Sequence, residues 1–452
     1  MGEKLDLFKK KIENKKITVV GIGVSNLPLI EFLAKNGAVI TACDKRSSDE
    51  LAMEKERLAP YDITYKLGEG YLCDIDADII FKTPGMRFDV PELVVARERG
   101  SVVTSEMEVF FELCTAKKIA VTGSDGKTTT TTLISEMLKK EGHTVWLGGN
   151  IGNPLLSEIE NIKDSDYAVL ELSSFQLHTM STSADISVVT NLSPNHLDMH
   201  KDMQEYTDAK KNIFLYQKPG DKLVLNYDNE ITRSFEKEAP NAPIFFSRTR
   251  EDKNGVYLKD NVIYAFGDAV LNADEIKIPG IHNVENYMAA IAALWGIVSV
   301  DTIKYVANNF GGVEHRIEFV REKCGVKYYN DSIASSPTRT TAGLRSFNQK
   351  VFLIAGGYDK HIPFDDFGPI IYKHVKKLFL IGVTAPKIKA SAEAAGMCDI
   401  VMCSDMAQAV ELSHKAATDG DIVLLSPACA SFDMFKNFAV RGDTFKKLVN
   451  EL

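Results

Sequence analysis

"KIAVTGSDGKTTTTTLISEMLKKEG", residues 118–142 of this 452-residue chain, decides how the fold is read. Its first residues form a short apolar run of strand type, "TGSDG" is a glycine turn, and an amphipathic helix follows from Lys127. Strand, turn and helix in that order aim backbone N–H groups and a helix N-terminus at an anion, and the Lys127 ammonium adds a full charge. The common phosphate-loop spacing would place a glycine six positions before that lysine, where this chain has Val121. Two readings therefore stand on the residues alone. In one, Gly123, Ser124, Asp125, Gly126 and Lys127 hold phosphate while the Thr128 hydroxyl faces a magnesium ion. In the other, Ser124 or Asp125 simply caps a helix whose threonines lie on a solvated face.

Downstream residues favour the first reading. Apolar runs "HTVWLGG", "YAVLELSS", "ISVVTNL", "KLVLNYD" and "APIFFSR" alternate with helical or loop spacers, which predicts a mostly parallel sheet covered on both faces. Glu171 closes one of these runs, where a charge is costly without a partner such as a metal ion. His196 follows the next run in "NHLDMH". Parallel-sheet logic puts both at the carboxyl edge beside the glycine turn, so together with Lys127 they point to metal-assisted phosphoryl chemistry. Lys210, in "MQEYTDAKKNIF", reads locally as a solvated helix lysine.

The chain on either side is also α/β. "KKITVVGIGVSNLPLIEFLAKNGAVITACDKR" is a strand, glycine turn, helix and strand, with Asn26 where a dinucleotide fingerprint has its third glycine. That substitution weakens a nicotinamide site and leaves a nucleotide or nucleotide-sugar site, or a structural turn, with Asp44, Lys45 and Arg46 placed for ribose, base edge and phosphate. After the hairpin "GVYLKDNVIYAFGDAVL" and a long helix from near Asn283, a third series opens with the hairpin "IEFVREKCGVKYYND" and continues through "KVFLIAGG", "KLFLIGV", "DIVMCSD" and "DIVLLSP". The expected architecture is three tandem α/β domains: a Rossmann-like N-terminal domain over 1–106, a central P-loop-type ATPase sheet over 107–312, and a Rossmann-like C-terminal domain over 313–452.

Composition sets outer bounds. A net charge of −9 without a basic run argues against nucleic acid as a partner. Seven scattered cysteines without a C-x-x-C suit a reducing compartment, most of them as small buried residues. "MAAIAALWGIVSV" is shorter than the roughly 18–20 residues of a membrane span, and the N-terminal stretch lacks a signal-peptide apolar region, so a cytoplasmic protein with no membrane partner is expected.

Several separate strings, "VTGSDGKTT", "GGNIG", "ELSSFQL", "NHLDMH", "HNVEN", "HRIE", "NDS" and "LLSPACASFDMFKNFAVRGDTF", resemble the muramyl ligases of peptidoglycan synthesis, in order and along the whole chain. The resemblance implies an N-terminal domain for a UDP-sugar peptide, a central ATPase and a C-terminal domain for the incoming amino acid. It implies ATP and two Mg2+ ions, UDP-N-acetylmuramoyl-L-alanine and D-glutamate as substrates, an acyl-phosphate intermediate and a monomer. Lys127 and Thr129 would serve the phosphates, Thr128 and Glu171 one magnesium, His196 a second, and Lys210 would be carbamylated into a carboxylate-like metal ligand. Asn283, Asn286, Arg316 and Asp331 match positions near the nucleotide. Asp44, Lys45, Arg46, Thr83, Gly85, Asn150 and Ser173 fall to the substrate, and Ser335, Lys360, Ser431 and Phe438 to the D-glutamate side, with Ser431 expected at a helix N-cap.

One position departs from the resemblance: Ile333 stands where a lysine commonly follows Asp-Ser, and Arg339 is the nearest cation that could replace it. Three alternatives remain at this level: a sibling or folylpolyglutamate-type ligase, a non-catalytic nucleotide module, and an NAD-dependent oxidoreductase.

Overall fold

The computed structural model describes residues 2–23, 25–193, 200–360 and 362–452. They divide into two compact units, Met1–Asn272 with Glu285–Val306, and Ala273–Val284 with Ala307–Leu452. The first unit contains two sheets and the second contains one.

The first sheet consists of β1 (Lys16–Val20), β2 (Val39–Asp44), β3 (Ile63–Leu67), β4 (Ile79–Phe81) and β5 (Val102–Thr104), in the order β3-β2-β1-β4-β5. Every pairing is parallel, with Ile17 opposite Ile40 on one side and Ile79 on the other. This is the doubly wound arrangement expected of a Rossmann-like half, and the central strand is buried on both faces as its unbroken apolar run requires.

The second sheet has nine strands: β6 (Lys117–Thr122), β7 (Val145–Gly149), β8 (Tyr167–Glu171), β9 (Ile186–Val189), β10 (Lys222–Asn226), β11 (Ile244–Ser247), β12 (Val256–Lys259), β13 (Val262–Ala265) and β14 (Asp268–Asn272). Their order is β14-β13-β12-β11-β10-β9-β6-β8-β7. Seven strands, β6 to β12, run parallel, and β13 and β14 continue from β12 as an antiparallel meander at one edge. From β6 the chain winds outward to β7 and β8, then returns to β9 on the other side of β6. That reversal opens a crevice at the carboxyl ends of β6 and β9.

One apolar cluster runs from Ile17 and Leu33 through Phe110 to Leu156 and Leu170, which accounts for two sheets sharing one compact unit. In the helix Ile281–Leu294, Met288 to Leu294 are wholly buried, as expected for a core helix. Among the described residues no helix is long and apolar enough to cross a membrane.

Glu106 begins the helix Glu106–Leu113 and accepts the Leu156 N–H at 2.8 Å. Burial pushes its carboxyl up to about 7, against the opposing pull of the Leu156 and Leu155 N–H groups. Below pH 4.5, the ordinary glutamate value, both the folded and the unfolded chain hold this proton. As pH rises from there to about 7 the unfolded chain gives it up first, so this group's contribution to stability falls, and it levels off above that range. Glu106→Gln should gain about 1–3 kcal/mol over the wild type between pH 5 and pH 8, read from urea unfolding at the two pH values.

The second unit carries β15 (Glu318–Lys323), β16 (Val326–Asn330), β17 (Val351–Ala355), β18 (Val375–Leu380), β19 (Ile400–Met402) and β20 (Ile422–Leu425), in the order β15-β16-β20-β17-β18-β19. The β15–β16 pair is the expected hairpin and the other pairings are parallel. Of the seven cysteines, Cys43, Cys114 and Cys429 are buried while Cys73, Cys324 and Cys398 are exposed, which corrects the expectation that most would be interior. Cys324 is exposed because it sits at the turn of that hairpin with a φ of 51°.

Candidate active site

Gly123 leaves the end of β6 with a φ of 152°, and a Cβ there would collide with the Thr190 hydroxyl. Gly126 is the N-cap of the helix Lys127–Glu141, left-handed at φ 77°, and no side chain caps that helix. The alternative in which Ser124 or Asp125 caps it therefore does not hold. The Ser124 hydroxyl lies 2.9 Å from Tyr206 Oη and donates to Ser193 O, and the Asp125 N–H goes to Asn191 Oδ1 at 2.9 Å. The turn is pinned from β9 and from the helix Met203–Lys211, which leaves the first amides of the Lys127 helix without a side-chain cap. Lys127 folds back over the turn, donating to Gly123 O at 2.9 Å and Ser124 O at 2.8 Å. Thr128, Thr130 and Thr131 are buried, so the threonine run is largely a packing surface and not a solvated face.

Glu171 sits opposite Val121 at the carboxyl edge of β8 and is 1% exposed. Its Oε1 accepts from Asn150 Nδ2 at 2.8 Å, whereas Oε2, equally buried, has no hydrogen-bond partner among the described residues. A buried carboxylate oxygen in that state is expensive, and a divalent cation is the ligand that satisfies it. The residues present thus fit a magnesium ion. His196, expected to assist it, lies outside the described residues.

Lys210 overturns its local reading as a solvated lysine. It is 2% exposed and donates to Thr122 Oγ1 at 3.0 Å and Gly123 O at 2.9 Å, with its ammonium 4.9 Å from the Tyr206 ring centre. Burial, reinforced by repulsion from Lys127 and only partly offset by Glu171, drives its pKa well below the ordinary lysine value. A lysine four residues from a tyrosine on one helix face was the signal available in the sequence, but nothing local said that this face points inward.

At the first sheet, the Asp44 carboxylate accepts the Ile22 N–H at 2.8 Å and the Arg46 N–H at 2.9 Å, and Arg46 Nη2 adds a 3.0 Å bond. Burial alone would raise this carboxyl, but the Arg46 guanidinium and those N–H groups outweigh it and hold it low. Asn26 donates to Val20 O and Gly21 O, which explains an amide where a third glycine was sought: its side chain closes the turn. Gly21 brings the backbone to within 3.0 Å of Thr83 Cβ, measured from where its own Cβ would stand. Lys45 and Gly85 are exposed.

The sequence reading missed a cluster near this sheet. Arg87 binds Asp89 and Glu205 simultaneously, through four contacts of 2.8–3.0 Å, and so ties the loop after β4 to the helix that carries Lys210. Hydrogen bonding by Arg87 holds the Glu205 carboxyl at about 2 despite burial. His178 and His200 stand 3.8 and 3.5 Å from Glu205 and line a small cleft with Lys82, whose ammonium burial disfavours. Lys82 directly follows a buried strand, a signal close to the one that singled out Glu171.

Asn286 lies against the turn: its Oδ1 accepts from Thr130 Oγ1 at 3.3 Å, and a Cβ on Gly126 would strike it. Asn283, on the same helix, donates to Pro279 O at 2.6 Å. Ser173 caps a short helix at Ser174–Leu177 through a capping box with Gln176.

In the second unit, Asp331 is buried; it accepts from Ser426 Oγ at 2.6 Å and Ile317 N at 3.3 Å, and burial raises its carboxyl to about 7. A surface ion pair with the half-buried Arg316 is therefore not its state. Ser335 and Lys360 line a small cavity with Ala428, Cys429 and Ala430. Ser431 is not a helix cap: it holds a turn by accepting from Met434 N and Phe435 N, while Asn437 caps the helix Phe438–Glu451. Phe438 is 40% exposed at the first position of that helix. Arg339 is exposed and points its Nη1 to Ile333 O at 3.5 Å, the position where the lysine is missing.

An uncapped glycine turn, a folded-back lysine and a buried carboxylate with a spare oxygen, all at the switch point of a parallel sheet, define a class of enzyme that seats a polyphosphate with a metal ion. Family models narrow the class. Residues 15–105 match the Mur ligase MurD-like N-terminal domain, 121–294 the Mur ligase middle domain and 315–429 the Mur ligase glutamate ligase domain. The chain is 57% identical, over 100% of both sequences, to a protein of Acetivibrio thermocellus named UDP-N-acetylmuramoylalanine--D-glutamate ligase. It is 51% identical to one of the same name from Clostridium perfringens, covering 98% of each. The chain belongs to the Mur ligase family. Among solved structures it shares its fold with a UDP-N-acetylmuramate-alanine ligase of Thermotoga maritima, at a TM-score of 0.60 and 20% identity over 97% of this chain and 99% of that one. A pseudomurein peptide ligase type C of Methanothermus fervidus gives 0.52 and 17% over 97% and 100%.

Proposed function

We propose that this chain is an ATP-dependent ligase joining D-glutamate to UDP-N-acetylmuramoyl-L-alanine, in cytoplasmic peptidoglycan precursor synthesis. The observation that carries the reading is the end-to-end identity of 57% with a protein of that name. Residues 1–106 take the UDP-sugar peptide, 107–312 take ATP, and 313–452 take the amino acid, in a protein that works as a monomer.

In the first step an oxygen of the alanyl carboxylate attacks the γ-phosphorus of ATP in line. The bond to the β,γ-bridging oxygen breaks, and ADP leaves with that electron pair. In the second, the D-glutamate amine adds to the acyl carbon, and the tetrahedral adduct expels phosphate as the amine gives up its proton. Phosphorylation turns a poor leaving group into a good one, which is the reason ATP is needed.

Lys127 leaves the Gly123 and Ser124 carbonyls to meet the phosphoryl oxygens, joined by the amides of Gly126 to Thr129. Thr128 and Glu171 would hold one magnesium ion, with His196 and a carbamylated Lys210 serving a second. Bound magnesium supplies neutralisation of the charge that builds on the transferring group. The depressed pKa of Lys210 favours the neutral amine, which adds carbon dioxide and loses a proton to become a carbamate. Asn283, Asn286, Arg316 and Asp331 serve the nucleotide. Asp44, Lys45, Arg46, Thr83, Gly85, Asn150 and Ser173 serve the UDP-sugar peptide, and Ser335, Lys360, Ser431 and Phe438 the D-glutamate.

ADP release with UDP-N-acetylmuramoyl-L-alanine and a panel of amino acids tests the assignment. D-glutamate should drive turnover; release driven by another acceptor, or by none, would overturn it. Arg339 is assigned to the role left vacant at Ile333. Arg339→Ala should raise the D-glutamate KM or lower kcat by roughly tenfold or more, the worth of one charge-assisted contact, and unchanged kinetics would remove Arg339 from the site.

A further inference from the structure

Arg441, on the helix Phe438–Glu451, is completely buried, and among the described residues it forms no ion pair with a carboxylate. Burial lowers its pKa to about 10. Its guanidinium is instead spent on loops: Nε donates to Ser332 Oγ at 3.0 Å, Nη2 to Ser332 O at 2.8 Å, and Nη1 to Cys429 O and Ala430 O, both at 3.1 Å. A third loop joins through Ala430 O, which also accepts the Tyr358 N–H at 2.9 Å. Gly357 makes the approach possible, since a Cβ there would collide with Ala430 O and stand 3.3 Å from Arg441 Nη1.

These three loops follow β16, β17 and β20, and they wall the cavity lined by Ser335, Tyr358, Lys360, Ala428, Cys429 and Ala430. The wall is not relaxed backbone. Ala428 adopts a φ of 61°, a conformation that costs a non-glycine residue about 1–3 kcal/mol and persists only where neighbouring contacts hold it. The contacts on the next two carbonyls come from Arg441. Ser332 extends the tie, because its hydroxyl donates to Phe438 O at 2.7 Å while accepting from Arg441. A planar fork with five donors can span two loops in this way, and a lysine ammonium cannot.

We infer that Arg441 is a positioning residue for the incoming amino acid: it fixes the relative placement of the three loops that wall this cavity. The inference rests on the proposed reading of the cavity as the D-glutamate side of the site. Two variants test it in the full-length enzyme, Arg441→Lys and the milder Ser332→Ala. In R441K the D-glutamate KM should rise roughly tenfold or more, with the KM values for ATP and UDP-N-acetylmuramoyl-L-alanine within about twofold of wild type; in S332A it should rise roughly threefold. A merely structural role would move all three KM values together with the unfolding midpoint, and that outcome overturns the inference. Unchanged D-glutamate KM in folded R441K and in S332A overturns it as well. Should R441K fail to fold, S332A decides alone. Wild-type turnover with D-glutamate is measured first. If the wild type uses a different amino acid the reading of the substrate falls, and the KM for that acceptor then decides whether Arg441 positions the loops.

Discussion

Lys210→Met should lower kcat by roughly 10³-fold while leaving the protein as stable as the wild type or more so. The two halves of that expectation have separate causes. As an unmodified amine, Lys210 is a buried group whose charged form burial penalises; its two hydrogen bonds go to a hydroxyl and a carbonyl, Lys127 repels its charge and Glu171 attracts it. Methionine keeps the unbranched stem and removes the desolvated charge, so the fold loses little. The enzyme loses the carbamate that would join Glu171, whose Oε2 has no partner among the described residues, in holding metal. Steady-state kcat and a thermal melt on one preparation read both halves. A variant retaining a tenth of wild-type activity would exclude Lys210 from the metal site, and a large fall in melting temperature would make it a structural residue.

Lys127→Met should cost roughly 10²–10³-fold in kcat/KM, with the ATP KM among the constants that rise. Lys127 is the first residue of an uncapped helix, and its ammonium donates to two carbonyls of its own turn. Those bonds hold the ammonium over the anion site at little cost, ready to be exchanged for phosphoryl oxygens. Removing it also relieves the repulsion on Lys210, so the Lys210 amine in this variant should bind its proton more tightly and form carbamate less readily. Carbamate formation is readable from the incorporation of labelled bicarbonate, followed by carbon NMR. Equal incorporation in wild type and K127M would show that the two lysines do not communicate.

Much of this molecule was legible before any coordinates, for reasons that differ from place to place. Strand, turn and helix from Lys118 to Gly142 are local, and each is written in residue type; the parallel order around β6 follows from alternating apolar runs. Glu171 was visible because a carboxylate at the end of a buried strand is an energetic anomaly in one dimension as well as in three. Lys210 was not, because "MQEYTDAKKNIF" is polar enough to lie on any surface, and its inward face is set by Ser124 and Gly123, more than eighty residues away. The capping assignments failed for the same reason. Ser124 is a good cap by type, but its hydroxyl is taken by Tyr206 and Ser193, and Ser431 gives way to Asn437, six residues later. The Arg87 cluster depends on a pairing between residues 118 positions apart, which no periodicity encodes.

The most direct test of the account follows an oxygen atom. UDP-N-acetylmuramoyl-L-alanine labelled with oxygen-18 in its alanyl carboxylate is turned over with ATP and D-glutamate, and the released phosphate is weighed by mass spectrometry. Activation through an acyl phosphate predicts one labelled oxygen in the phosphate for each amide bond formed, with no amide and no sustained phosphate release when D-glutamate is left out. Unlabelled phosphate accompanying amide formation would contradict the account.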